Sequence, residues 1–167
     1  MIAILAQISI PIPFSPVPFT GQVLGVFLAG TLLGGKAGFI SVLIYIILGV
    51  AGLPVFSMGR GGLQVILGHT GGYLLGLLPG TYLLGKLSER ENKNKVAWQK
   101  IFGMGICLIW VYTLGALQLA YIMNYELWQA LVAGVIPYIP LDIAKMGIAY
   151  ILIKKIKHVE GQGWAKT

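Results

Sequence analysis

The chain has 167 residues, of which 57% are hydrophobic and only 10% charged, with a mean hydropathy of +0.84. A soluble domain carries about 25% charged residues, so this composition excludes a water-faced globule and points to one integral membrane domain over residues 1–167. The net charge of +7 does not mark a nucleic-acid binder: Lys86, Arg90, Lys93, Lys95 and Lys100 form one cluster, and Lys154, Lys155, Lys157 and Lys166 another. Both flank apolar stretches, as the positive-inside rule requires.

Six helices are predicted in chain order, an all-α polytopic membrane fold with spans of about 1–10, 20–33, 36–51, 73–86, 100–123 and 127–157. The first is a stub, six apolar residues before Gln7, which reads as the end of a first spanning helix truncated at its N-terminus. Pro11-Ile-Pro-Phe-Ser-Pro-Val-Pro then removes backbone donors and stops any helix. A Gly-rich segment, 52–72, separates the third and fourth helices, and the hydrophilic stretch 87–99 lies outside the bilayer. The short second to fourth members imply tilt or local thinning. With the basic loop and tail inside, six crossings put both termini in the cytoplasm, and the Pro-rich and Gly-rich segments outside. Small residues recur every fourth position, at Gly21, Gly25, Ala29; Gly30, Gly34, Gly38; and Gly72, Gly76, Gly80. Such faces let helices approach closely in lipid, and packing within the chain is their expected use.

Two ionisable residues stand deep in apolar sequence, Asp142 and Lys145. At i and i+3 they project from one face of the last helix, just after Pro137 and Pro140, which bend it. A charge at the centre of a spanning helix costs roughly 2.5–3.5 kcal/mol on insertion scales. The two readings are a mutually neutralising pair that locks helices together and a polar site for a ligand. In the Gly-rich segment Arg60 is the one fixed positive charge, suited to a carboxylate; a surface contact with lipid headgroups is the plainer reading. Other patterns carry nothing. Gly80-Thr-Tyr-Leu-Leu-Gly-Lys86 lacks the Ser or Thr of a phosphate-binding loop, since Leu87 follows. His69 and His158 lack metal-ligating company, and Cys107 in an apolar run is read as a core residue. No cofactor and no metal are expected, and no catalytic machinery is visible. A small membrane enzyme with Asp142 as acid or base is the alternative from a different class.

Several motifs together resemble a known family. Ser15-Pro-Val-Pro-Phe-Thr-Gly-Gln, Gly25-Val-Phe-Leu-Ala-Gly, Gly52-Leu-Pro-Val-Phe, Gly59-Arg-Gly-Gly, Gly68-His-Thr-Gly-Gly-Tyr and Pro140-x-Asp-x-x-Lys145 occur in order over nearly the whole chain. The chain is similar to the BioY family, the biotin-specific substrate-binding (S) components of energy-coupling factor (ECF) transporters. The resemblance implies a six-helix protein of the bacterial plasma membrane that captures biotin from outside. Its partners would be a transmembrane coupling subunit and two ABC ATPases, with membrane lipid around it, so that ATP hydrolysis lies elsewhere. It implies a substrate site at Asp142, Lys145, Arg60 and Tyr73, with Gln22 as a further lining residue. An S component for another vitamin is the near alternative. Two positions depart from the family pattern: His69 stands where Pro is common, and Leu74 where some members carry an Arg for the carboxylate, which leaves Arg60 as its substitute. The family's small-residue docking motif on the first helix would fall before Met1.

Overall fold

The computed structural model describes residues 1–13, 15–89 and 96–163, with backbone alone at 96–97 and 157–163. The expectations for Arg90, Lys93, Lys95 and Lys166 lie outside the described residues.

Helix α1 runs Ile2–Gln7 and buries Ile2 and Ala6. It stops three residues short of the expected end, because Pro11 drives Ile10 toward extended backbone. Ser9–Ile10 forms strand β1, paired antiparallel with β2, Phe19–Thr20, in the register Ser9↔Thr20. The all-α expectation is corrected to this extent: a two-residue ribbon closes off the Pro-rich segment.

Helix α2, Gln22–Val50, contains a break at Gly34, whose φ of 81° and ψ of −177° are not helical. The chain folds back there. A Cβ on Gly38 would stand 3.0 Å from the Gly30 Cα, whereas eight residues of straight helix separate two positions by about 12 Å. The two arms match the expected second and third helices to within two residues. Glu89 caps the turn, its Oε1 accepting the Gly35 N–H at 2.8 Å, and a Cβ on Gly85 would strike the backbone of Gly34 and Gly35.

The segment expected to be Gly-rich loop holds a 3₁₀ turn at Ser57–Gly59 and a short helix α3, Leu63–Leu67. Helix α4, Gly71–Glu89, packs between the α2 hairpin and α5, Val96–Met123. Both begin a few residues earlier than expected. The expected sixth helix is three pieces: α6, Leu127–Gly134, a 3₁₀ turn at Ile136–Tyr138, and α7, Ile139–Gly163. Pro137 and Pro140 account for the break, since each removes a donor and crowds the carbonyl four residues back. Pro140 then sits in the first turn of α7, where no donor is needed.

The small-residue faces pack within the chain. A Cβ on Gly25 would lie 3.1 Å from the Ile2 Cα, one on Gly30 3.0 Å from Leu84, and one on Gly76 2.7 Å from the Val111 Cα. Cys107 is buried among Leu84, Met104 and Leu77 in the core. Large apolar side chains face outward, among them Ile40, Ile44, Ile47, Ile109 and Ile151. Among the described residues, three stretches are long and apolar enough to cross a membrane: Gln22–Val50, Trp98–Met123 and Leu127–Ile156. Folded back at Gly34, the two arms of the first are about 18 and about 24 Å long at 1.5 Å per residue.

Candidate functional site

The break before α7 sets Asp142 in that helix's first turn, where the unpaired N–H groups and the positive end of the helix dipole favour a carboxylate. One turn on, Lys145 Nζ donates to Asp142 Oδ1 at 2.6 Å, with both side chains more than nine-tenths buried. Lys145 also donates to the Thr20 carbonyl at 2.7 Å and lies 4.0 Å from the centre of the Phe19 ring. Tyr112 on α5 donates to Asp142 Oδ2 at 2.6 Å. The pair therefore ties α7 to β2 and α5, as the helix-locking reading has it, but it is not sealed. A cavity adjoins it, with about 660 Å³ of space between atoms including its open mouth.

Gln22, Tyr73, Tyr112, Tyr138, Asp142 and Lys145 supply much of the polar lining of that cavity, against an apolar wall that includes Val23, Phe56, Leu77 and Val111. Gln22 is the first residue of α2 and is buried, yet its Nε2 has no hydrogen-bond partner among the described residues. An unpaired buried amide costs about 1–3 kcal/mol, so this position favours any ligand that brings an acceptor. Tyr73 enters from the first turn of α4, its hydroxyl donating to the Gly134 carbonyl at 2.9 Å. Its ring lies on Gly115, where a Cβ would strike it. Tyr138 donates to the Val17 carbonyl and accepts from the Ser15 hydroxyl at 2.8 Å, holding the Pro-rich segment against the cavity.

Four of the five residues named from sequence, Asp142, Lys145, Tyr73 and Gln22, thus share one cavity. Arg60 is not among its lining residues; its Nη2 lies 3.1 Å from Met58 Sδ. Its charge reaches His69, whose pKa falls below the usual histidine value through burial first and Arg60 second, against the pull of the Pro16 carbonyl. Arg60 and His69 accordingly stand together on the same Gly-rich segment, close to the Pro-rich one.

Sequence reasoning missed Tyr112, Tyr138 and the Thr20 carbonyl. The signal for Tyr112 was a hydroxyl in an otherwise apolar span, but nothing in a spacing of 30 residues links it to Asp142. Its role is testable: Tyr112→Phe removes one donor from a buried carboxylate and should destabilise the protein by about 1–3 kcal/mol. Thermal unfolding in detergent reads this, and an unchanged midpoint would show that Asp142 does not depend on that bond.

Comparison with known proteins places this arrangement. The family model described as the BioY family matches residues 1–162. The biotin transporter BioY of Thermotoga maritima is 38% identical over 154 residues, covering 90% of this chain and 87% of that protein. The probable biotin transporter BioY of Pyrococcus horikoshii is 40% identical over 152 residues, covering 91% and 86%. Among solved structures, the crystal structure of the S-component for biotin from an ECF-type ABC transporter superposes with a TM-score of 0.84 at 32% identity, over 94% of this chain and 85% of that one. With family model, relatives and solved structure in agreement, the chain belongs to the BioY family.

Proposed function

We propose that this protein is the biotin-binding S component of an ECF-type transporter and captures biotin from outside the cell in the cavity above Asp142 and Lys145. The observation that carries the reading is the convergence of Gln22, Tyr73, Asp142 and Lys145, from three distant parts of the sequence, on one cavity. Biotin offers two ureido N–H donors, a ureido oxygen, an apolar bicycle and a flexible carboxylate. Asp142 still has lone pairs for the ureido N–H groups, and Lys145 and the unpaired Gln22 Nε2 can donate to the oxygen. Tyr73 and Tyr112 supply the surface for the ring, and Arg60, on the segment that gives Phe56 and Ser57 to the wall, takes the carboxylate at the entrance.

The topology in this reading is six crossings of a single membrane domain with both termini cytoplasmic. The Glu89–Gly35 bond supports it by joining the Gly34 turn to the end of α4 that leads into the basic loop. Both segments at the cavity, Pro-rich and Gly-rich, then face outside. A transmembrane coupling subunit and two ABC ATPases supply the energy, in keeping with the absence of a phosphate-binding loop from this sequence. The surrounding lipid covers the outward Ile and Leu side chains.

Equilibrium dialysis of purified protein against labelled biotin, with riboflavin and thiamine as controls, tests the assignment. Saturable binding of biotin alone is expected; preference for another vitamin would keep the site and change its ligand. A sharper expectation concerns Gln22. Gln22→Leu removes an unpartnered amide, so ligand-free stability should hold or rise, while biotin affinity falls about tenfold for a lost hydrogen bond at a dry site. Equal affinity in that variant would remove Gln22 from the site.

A further inference from the structure

The cavity's outer wall comes from irregular backbone, and the buried carbonyls of such backbone need hydrogen-bond partners from elsewhere in the protein. Helix α3 has only five residues, and Gly68–Thr70 lead at once into α4. The last carbonyls of so short a helix have no partner within it. The Ile66 carbonyl and that of Gly68, just past the helix, are met from a distant part of the sequence: Gln118, in an apolar stretch of α5, donates from Nε2 to both, each at 2.7 Å. Gly71 makes the room, since a Cβ there would strike the Ile66 carbonyl and stand 2.7 Å from Gln118 Nε2. On either side of this junction Val65, Thr70 and Tyr73 line the cavity.

A second glutamine holds the other end of the same segment. Gln7 donates to the Pro54 and Phe56 carbonyls at 3.3 and 3.2 Å and accepts the Gly59 N–H at 3.1 Å. Gln7 is exposed and its bonds are long, so water can replace them. Gln118 is half-buried with short bonds, and among the described residues its side chain alone bridges the two carbonyls, the Gly68 carbonyl also accepting the Gly71 N–H at 3.2 Å.

We infer that Gln118 is a positioning residue for the binding cavity: it touches no ligand, but fixes the junction between α3 and α4 and so keeps Val65, Thr70 and Tyr73 closed over the bound molecule. This rests on the reading that biotin occupies the cavity. A wall that is held in place slows escape, so the effect belongs in the dissociation rate.

The experiment compares wild-type protein with Gln118→Met, Gln118→Asn, Gln7→Ala and Asp142→Asn, all purified in detergent. Gln118→Met keeps the length and removes both donors; Gln118→Asn keeps the donors on a shorter side chain and carries the test if the Met variant does not fold. Labelled biotin should leave the Met variant roughly tenfold faster with an association rate within about twofold of wild type. The Asn variant should fall between, and Gln7→Ala should lie close to wild type. Hydrogen exchange in ligand-free Gln118→Met should quicken over residues 63–70 and not in the core of α5, which general destabilisation would not reproduce. Wild-type dissociation from both Gln118 variants, with weak binding by Asp142→Asn, would overturn the inference and keep the cavity. Wild-type behaviour of Asp142→Asn as well would overturn the cavity reading and the inference with it.

Discussion

Lys145→Ala is expected to weaken biotin binding at least about tenfold and to destabilise the ligand-free protein by about 3–5 kcal/mol, the scale of breaking a buried ion pair. The lost amine serves three ends at once: Asp142 Oδ1, the Thr20 carbonyl and the face of Phe19. Without it, Asp142 keeps, among the described residues, only the Tyr112 hydroxyl, and a buried carboxylate with a single neutral donor is poorly compensated for its lost hydration. Affinity falls both because a donor to the ligand has gone and because the acceptor beside it has lost the partner that holds it in place. The double replacement Asp142→Leu/Lys145→Met separates fold from function. Apolar residues in place of a buried pair are often neutral or stabilising, so the double variant should regain most of the stability lost in Lys145→Ala and regain no binding. Thermal unfolding in detergent and equilibrium dialysis read the two properties side by side. Recovered binding in the double variant would reduce the pair to a lock between helices.

Gly76→Leu should prevent the helices from assembling, and Gly76→Ala should cost about 1–3 kcal/mol, as overpacking does. A Cβ at Gly76 would meet the Val111 Cα at 2.7 Å and the Trp110 carbonyl at 2.8 Å. Both are backbone, so no side chain can swing aside and α4 must move off α5. Gly72 and Gly80 repeat the contact one turn either way, against the Leu114 carbonyl and against Cys107. Because Tyr73 and Leu77 on α4 and Val111 and Tyr112 on α5 all line the cavity, separation of these helices also enlarges it, and biotin affinity should fall with stability. Gly105 on α5 is the control: among the described residues, no atom beyond the adjoining backbone of its own helix lies within 4 Å of a Cβ built there. Gly105→Ala should be neutral or stabilising by about 0.5–1 kcal/mol. Size-exclusion profiles and unfolding midpoints in detergent decide the matter, and a monodisperse, wild-type-like Gly76→Leu would show that the close approach is dispensable.

The fourfold spacing of glycines on α4 made that helix contact legible before any coordinates, because in lipid small residues are what permit backbones to meet. The i, i+3 spacing of Asp142 and Lys145 made their pairing legible in the same way, and the prolines before them the helix break. What spacing did not reveal was which polar group meets which distant element. The ribbon Ser9–Ile10 with Phe19–Thr20 depends on pairing across four prolines, and each strand has only two residues. Tyr112 reaches Asp142, and Gln118 reaches Ile66 and Gly68, only because α5 crosses both α7 and the end of α3. Arg60 was singled out by its charge and by the Gly59-Arg-Gly-Gly motif, and neither says which way a loop turns. Its Nη2 meets Met58, outside the cavity lining.

A structure of the protein with biotin tests the central claim most directly. The account predicts the bicycle inside the cavity, with ureido atoms within hydrogen-bond distance of Asp142, Lys145 and Gln22 Nε2, the last then paired. Biotin bound elsewhere, with the Asp142–Lys145 bond and the Gln22 amide as they stand in the free protein, would contradict it.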